Sequence, residues 1–411
     1  MHFPRLMLQV MPLPAASKLD SFIALAGVSL WRRRLDEIRD RAATGPRSGQ
    51  IVRERHGAEL ALERLRQPGD RAPGPAERAL ASLAAEVVTL SEHLGAAGKQ
   101  RLRELMRKCL ASDNTLIPLF HLVRAAGLQR ARGFDVRYAG LEEAAPFDLL
   151  LQADGIEAEV ACEVMSAEAG RGVHRGAWYR LADLVDPDLQ TWLADHPGRY
   201  LLKMTLPQGL QDGPADLCDA PGPLAALHAR IRALLASSTR QDHDEAMVLR
   251  LDPLLLTAAQ ADDLGLLGSL RHQFGPEAHL SVTTAGSGVF VMAARAGHEN
   301  AIAVAARKHM AAIAPTRLSG TRPGILTMFV EDTNAGEWRA LRERLELEGE
   351  TRQFLTNPEA RPVVAVTFAS RLELFGLRST ATAPEGELRF RNPGHPAASA
   401  PGLARAVLSS V

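Results

Sequence analysis

Apolar and polar positions alternate most cleanly between Ile156 and Met165. Glu157, Glu159, Ala161 and Glu163 fall on one side of the run, and Ala158, Val160, Cys162 and Val164 on the other. A period of two is the mark of a half-buried strand. The apolar run Phe147–Gln152 just upstream reads as a second strand, and Ala153-Asp154-Gly155 between them as a tight turn, because an Asp-Gly pair between apolar runs favours a hairpin. Elsewhere the period changes. From Ala16 to about Ser112 it is helical: one helix from Ser17 to Arg41, a loop at Thr44–Gly49, a helix from Ile51 to Arg66, and a third from Ala76 with Leu80, Leu83, Val87 and Leu90 on one face, broken at Gly95–Gly98. A helix over Thr115–Ala126 leads to a strand at Phe134–Tyr138; past the hairpin come a helix at Trp178–Ala194 and a strand at Arg199–Leu206. A second α/β segment follows. Its strands are expected at Met247–Leu251, Leu280–Thr284, Val289–Ala294, Gly324–Val330, Pro362–Phe368 and Glu387–Phe390, and its helices at Leu224–Ser237, Asn300–Ile313 and Glu337–Leu347.

The expected architecture is therefore α/β in three parts: a helical region at 1–112, a mixed-sheet core at 113–210 and an α/β segment at 211–391, with a loose Pro/Ala-rich tail at 392–411. A chain of 411 residues accommodates two or three domains. Its formal net charge is zero, whereas a free-standing non-specific nucleic-acid binder is usually basic, so any such surface must be local. Of the 48 basic residues only Lys18, Lys99, Lys108, Lys203 and Lys308 are lysines. The segment Gln100–Ala111 carries Arg101, Arg103, Arg107 and Lys108; a solvated helix face is its default reading and phosphate contact the sharper one. Cys109, Cys162 and Cys218 are too widely spaced for a zinc site or a disulfide framework, which fits a reducing cytoplasm. The apolar stretch Phe22–Trp31 is too short to span a bilayer, so no stable membrane insertion is expected, although Arg32-Arg33-Arg34 after it would suit a membrane surface.

Next-but-one positions on one strand face stand about 6.6 Å apart, and three of the four here carry carboxylates. Such a face is either simply solvated or a site for a hard cation such as Mg²⁺, which prefers carboxylate oxygens. Asp148, at the start of the paired strand, faces Glu159 or Glu163 across the hairpin in this reading. Past the acidic strand, Gly170-Arg171-Gly172-Val173-His174 has the glycines of a phosphate-cradling loop, with Arg175 next to it. Adjacent residues such as Gln241–Glu245 rarely converge on one ion. No nucleophile elbow, Walker A loop or H-E-x-x-H motif is present.

Between about Asn114 and Gln208 these features resemble the PD-(D/E)XK nuclease superfamily. Pro146-Phe147-Asp148 stands where that family has its first acidic motif, and Ala161-Cys162-Glu163, followed by Ser166 and Gly170-Arg171, stands where relatives read Glu-Cys-Lys, then Ser and Gly-Arg. Two positions depart from the pattern: Ala161 replaces the second carboxylate and Glu163 the lysine. The resemblance implies an α-β-β-β-α-β core, formed by the helix after Thr115, the strands 134–138, 147–152 and 156–165, the helix 178–194 and the strand 199–206 in one sheet. It implies Mg²⁺ held by Asp148 with Glu159 or Glu163, a relocated lysine at Lys203, and nucleic acid, DNA before RNA, contacted by Arg171, His174 and Arg175. The expected function is metal-dependent phosphodiester hydrolysis. The competing expectation is a nuclease-like binding or assembly subunit without catalysis, since alanine neither binds metal nor moves protons; a third is an unrelated scaffold with a solvated acidic strand. Protein partners and oligomeric state stay open.

Overall fold

The structure, a computed structural model, describes residues 16–67, 71–211, 222–237, 239–253, 278–376 and 385–408, together with Leu270, Phe274, Thr382 and Ala383. The expectations for residues 1–15 and for Cys218 lie outside the described residues. The chain divides into two compact units, one formed by 1–38, 55–167 and 303–411 and the other by 39–54 and 168–302. The second is thus inserted in sequence between the strand that ends at Ser166 and the helix that begins at Ile302. This replaces the expected division at residues 112 and 210.

The first unit opens with helices α1 (Ala16–Ala26) and α2 (Val28–Ala42, of which residues to Ile38 belong here). One continuous helix was expected. Gly27 interrupts it with φ of +98°, a conformation that glycine adopts without a Cβ penalty. After α3 (Pro46–Arg55) come α4 (Gly57–Arg66), α5 (Pro75–His93), α6 (Ala96–Cys109) and α7 (Ile117–Ala131). Pro75 opens α5 and Pro118 lies in the first turn of α7, where a missing backbone donor costs nothing. These helices bury Phe22, Trp31, Leu80, Val87, Leu102 and Phe120 in one continuous core. Full burial of each large apolar side chain contributes about 1.5–3 kcal/mol relative to exposure.

That core also covers one face of a six-stranded sheet. Its strands are β1 (Asp135–Arg137), β2 (Leu149–Ala153), β3 (Ile156–Ser166), and, numbered in chain order after five strands of the second unit, β9 (Gly324–Glu331), β10 (Val363–Ser370) and β11 (Leu388–Arg391). A short helix, α8 (Ala139–Glu142), links β1 to β2. The order is β1-β2-β3-β9-β10-β11; β3, β9 and β10 run parallel and the other neighbours antiparallel. The hairpin turn is as expected, with Asp154 and Gly155 both at positive φ (+50° and +77°). The expected loose tail is instead packed: Ala398, Leu403, Ala406 and Val407 are buried, carried by the short helical turns Pro396–Ser399, Pro401–Leu403 and Ala404–Val407.

In the second unit, α9 (Arg175–Asp195) and α10 (Pro223–Ala236) cover a five-stranded sheet in the order β5-β6-β4-β8-β7. The strands are β4 (Arg199–Leu206), β5 (Gln241–His243), β6 (Val248–Pro253), β7 (His279–Ala285) and β8 (Gly288–Ala296). Strand 199–206 has the expected bounds but the wrong expected partners: β4 pairs with β6 and β8, not with the acidic hairpin. The helix α9, expected on the hairpin's sheet, is likewise a helix of this unit. The chain returns to the first unit through α11 (Ile302–Arg317), which enters β9; α12 (Ala335–Glu343) and α13 (Glu346–Leu355) then link β9 to β10. Among the described residues no helix is long and apolar enough to cross a membrane.

Candidate functional site: an acidic strand face closed by arginine

The register of the hairpin decides which acidic groups meet. Leu149 pairs with Val160 and Leu150 with Glu159, so Asp148, one residue before β2, stands opposite Ala161. Its N–H donates to the Val160 carbonyl at 2.9 Å, and its Oδ2 accepts the Cys162 N–H at 2.7 Å. Glu159 and Glu163 flank the alanine on the same face. The structure draws these two glutamates into different assemblies.

Glu163 joins Asp148 through Arg317, the last residue of α11. The Arg317 Nη2 lies 2.6 Å from Asp148 Oδ2, its Nη1 binds Glu163 Oε1, and its Nε donates to the Pro146 carbonyl at 2.7 Å. One planar guanidinium thus spans both carboxylates and fixes the chain that leads into β2, a fork geometry that lysine lacks. His309, eight residues earlier on the same helix, places Nε2 at 3.8 Å from Glu163 Oε2. Desolvation raises the Asp148 carboxyl to about 6; Arg317 and the Cys162 N–H oppose the rise, and Glu163 adds to it. The Cys162 thiol is pushed well above its ordinary range, first by burial and then by the negative charge of Asp148. It is no nucleophile in this state.

Glu159 is fully buried and serves the loop between α11 and β9. Its Oε2 accepts the Ser319 N–H at 2.8 Å, its Oε1 accepts the Ser319 hydroxyl, and Arg322 Nη1 lies 3.5 Å away. Arg322 also holds Glu157 at 2.7 Å. The acidic face is therefore neither simply solvated nor one cluster. It is two ion-pair assemblies, each closed by an arginine from the α11–β9 segment.

This arrangement does not fit a resident Mg²⁺. Such an ion requires oxygen ligands in near-octahedral array, yet only Asp148 and Glu163 meet, and the guanidinium already bridges them. The third position holds the methyl group of Ala161. Among the described residues no group of three potential metal ligands converges.

The remaining expected site residues belong to the second unit. Lys203, on β4, pairs with Asp252 at 3.1 Å and lies over the Phe274 ring at 5.8 Å. Arg171 is ion-paired to Glu168, whose other oxygen accepts the Arg175 N–H at 3.1 Å and so caps the first turn of α9. His174 precedes that turn and donates its own N–H to Leu210. Nearby, burial first, then the positive charges of Arg171 and Arg175, lower His279 to about 4. In place of the expected phosphate contacts, the loop's own carboxylate satisfies Arg171 and the helix end.

Sequence reasoning located Asp148 and Glu163 but missed Arg317 and His309. They stand 154 and 146 positions beyond Glu163, past the whole inserted unit, and no local pattern marks them. Compared with known proteins, the chain matches no family model, no curated protein and no solved structure.

Proposed function

We propose that the first unit is a nuclease-like module that binds or assembles rather than cleaves, its acidic centre closed by an internal arginine in place of a metal ion. Support for the nuclease-like part comes from the element order. Within one unit α7, β1, β2, β3, α11 and β9 follow as α-β-β-β-α-β once the four-residue helix α8 between β1 and β2 is set aside, and the four strands are neighbours in that order. This resembles the order of the PD-(D/E)XK core, with α11 and β9 in the places that α9 and β4 were expected to fill. The observation that carries the non-catalytic part is Arg317 bridging Asp148 and Glu163. Its charge does for these carboxylates what a cation would do, and Ala161 removes the ligand between them.

The competing reading, Mg²⁺-dependent phosphodiester hydrolysis, draws on the raised Asp148 carboxyl, since perturbed carboxyls concentrate at active sites. It requires Arg317 to leave both carboxylates. Calorimetric titration of the full chain with Mg²⁺, alongside cleavage assays on duplex DNA, single-stranded DNA and RNA, separates the two. We expect no Mg²⁺ binding and no cleavage in the wild type, and Mg²⁺ binding in the double variant Ala161→Glu/Glu163→Lys, which rebuilds the motif and frees Arg317 from one carboxylate. Metal-dependent cleavage by the wild type that disappears in Asp148→Asn would overturn the proposal.

A further inference from the structure

At the break between α1 and α2 lies an open cavity of about 510 Å³ in the first unit. Leu25, Ala26 and Leu30 form its apolar floor, and Arg33, Arg103 and Arg107 line its rim. Arg33, Arg103 and Arg107 are all exposed. The chain balances 48 basic against 48 acidic residues, and most of its buried or half-buried arginines, such as Arg47, Arg55, Arg307 and Arg317, sit in ion pairs. Among the described residues, Arg103 and Arg107 form no ion pair, nor do Lys99 one turn before them and Arg32 beside Arg33. Arg33 has only Glu37, at 3.7 Å and well exposed. The single acidic residue of α6, Glu104, is held by Gln100 at 2.9 Å.

Lys99, Arg103 and Arg107 recur every four residues, so they form one ridge along α6 with about 6 Å between neighbours. The ridge is about 12 Å long, the axial rise of three to four phosphates of one B-DNA strand at about 3.4 Å each. Arg32 and Arg33 add positive charge from α2. None of the cavity's lining residues is aromatic, so it offers no platform for stacking unpaired bases. Apart from the three arginines, Ser29 is the cavity's one polar side chain, so positive charge is what the surface offers, and charge on phosphate oxygens positions a duplex without reading its sequence.

We propose that this ridge binds the phosphate backbone of duplex nucleic acid without sequence preference. The proposal uses residues separate from the acidic centre, so cleavage activity in the wild type would overturn the reading of that centre and leave this one standing.

The test is fluorescence anisotropy of a labelled mixed-sequence DNA duplex with the full chain over a series of salt concentrations. The double variant Arg103→Ala/Arg107→Ala should bind at least about tenfold more weakly at low salt, and the slope of log affinity against log salt should flatten by about 1.8, at about 0.9 per lost phosphate contact. Arg103→Lys/Arg107→Lys, which keeps the charges, should retain most of the binding, and so should Arg361→Ala, an exposed arginine elsewhere in the same unit. If the alanine variant unfolds, the lysine variant paired with Lys99→Glu gives the same comparison. Absence of duplex binding by the wild type at low salt, or an equal loss in Arg361→Ala, overturns the proposal. So does flotation with phosphatidylserine vesicles that depends on Arg103 and Arg107 while duplex binding is absent, an outcome that reassigns the ridge to a membrane surface.

Discussion

Each unit holds an arginine between two carboxylates, and the two arrangements differ in what else those carboxylates touch. In the second unit Arg47 lies 2.8 Å from Asp186 and 3.6 Å from Asp183. Asp183 also accepts the backbone N–H groups of Arg47 and Ser48 and the Ser48 hydroxyl, at 3.1, 2.8 and 2.6 Å, so it caps the start of α3. Asp186 accepts Thr283 at 2.6 Å and Gln190 at 2.7 Å. In the first unit, among the described residues, the Asp148 side chain has one donor besides Arg317, the Cys162 N–H, and Glu163 has only the distant His309. The same ion-pair motif is therefore a strut in one unit and a charge lock in the other. Coulomb attraction alone does not distinguish them; the count of alternative donors does.

The largest expected effect follows from that count. Arg317→Ala leaves two half-buried carboxylates facing each other with little compensation and should cost about 2–3 kcal/mol. Arg47→Ala leaves carboxylates that keep four or more hydrogen bonds and should cost about 1 kcal/mol or less. Chemical denaturation of the two variants measures both. The sharper half of the comparison is its response to metal. Millimolar Mg²⁺ should restore part of the lost stability in Arg317→Ala through binding to the native state alone, and should do nothing for Arg47→Ala. Equal costs and no Mg²⁺ response would show that Arg317 is another strut.

Glu159 comes next in size. Glu159→Gln keeps the shape, but only one of its two terminal atoms accepts, so the Ser319 N–H and hydroxyl, which both donate to the carboxylate, keep one acceptor between them and lose its charge. Losing charge-assisted bonds to a buried acceptor should cost about 1.5–2 kcal/mol. Because this glutamate belongs to the α11–β9 loop and not to the Asp148 assembly, the variant should leave Mg²⁺ binding at the wild-type level. A change in Mg²⁺ binding would tie the two assemblies together.

Asp148 provides a pH test. Its carboxyl titrates near 6 in the native state and near the ordinary 3.8 when unfolded, so the native state holds the proton more tightly between these values. The contribution of this group to stability is complete below the unfolded value and is lost as pH rises to about 6. Relative to Asp148→Asn, which cannot titrate, the wild type should therefore lose stability from pH 4 to pH 6 and run parallel above that. Paired thermal melts across this window check the sign. A wild type that gains on the variant with rising pH would mean that Arg317, and not desolvation, dominates the carboxyl.

How far these features could be read from sequence depends on how local their causes are. The hairpin was legible because its turn chemistry at Asp154-Gly155 and its alternation lie within twenty residues. Its register was legible in part: Asp148 was expected to face Glu159 or Glu163, and it stands opposite Ala161, joined through Arg317 to Glu163. The sheet's closing strand was not legible, because several helix–strand pairs follow the hairpin, and α9–β4, which comes first, fits the expected order as well as α11–β9 does. One physical signal separates them. A strand lying between parallel neighbours is covered on both faces and reads as a near-continuous apolar run. Gly-Ile-Leu-Thr-Met-Phe-Val-Glu in β9 is buried at every position, whereas Arg199, Lys203 and Thr205 put polar groups on alternate positions of β4. Arg317 had no such signal, since its role exists only once the inserted unit has been spanned and α11 ends over the hairpin.

Lys203 is the smallest prediction, and it tests that assignment most directly. As the relocated lysine of the hairpin's sheet it would be indispensable to any chemistry there. In the structure it is a strand residue of the other sheet, with a side chain 39% exposed, paired with an Asp252 that also receives Arg250 at 2.9 Å. An exposed pair whose acid has a second cation contributes little, because solvent screens it and the remaining arginine takes over. The cation over Phe274 adds about 0.5 kcal/mol at most in such a setting. Lys203→Ala should therefore change stability by no more than about 0.5–1 kcal/mol, and should leave Mg²⁺ binding by Arg317→Ala untouched when the two substitutions are combined. A double variant that loses the Mg²⁺ response of Arg317→Ala would couple β4 to the acidic face and break the separation between the two sheets on which the comparison of their arginines rests.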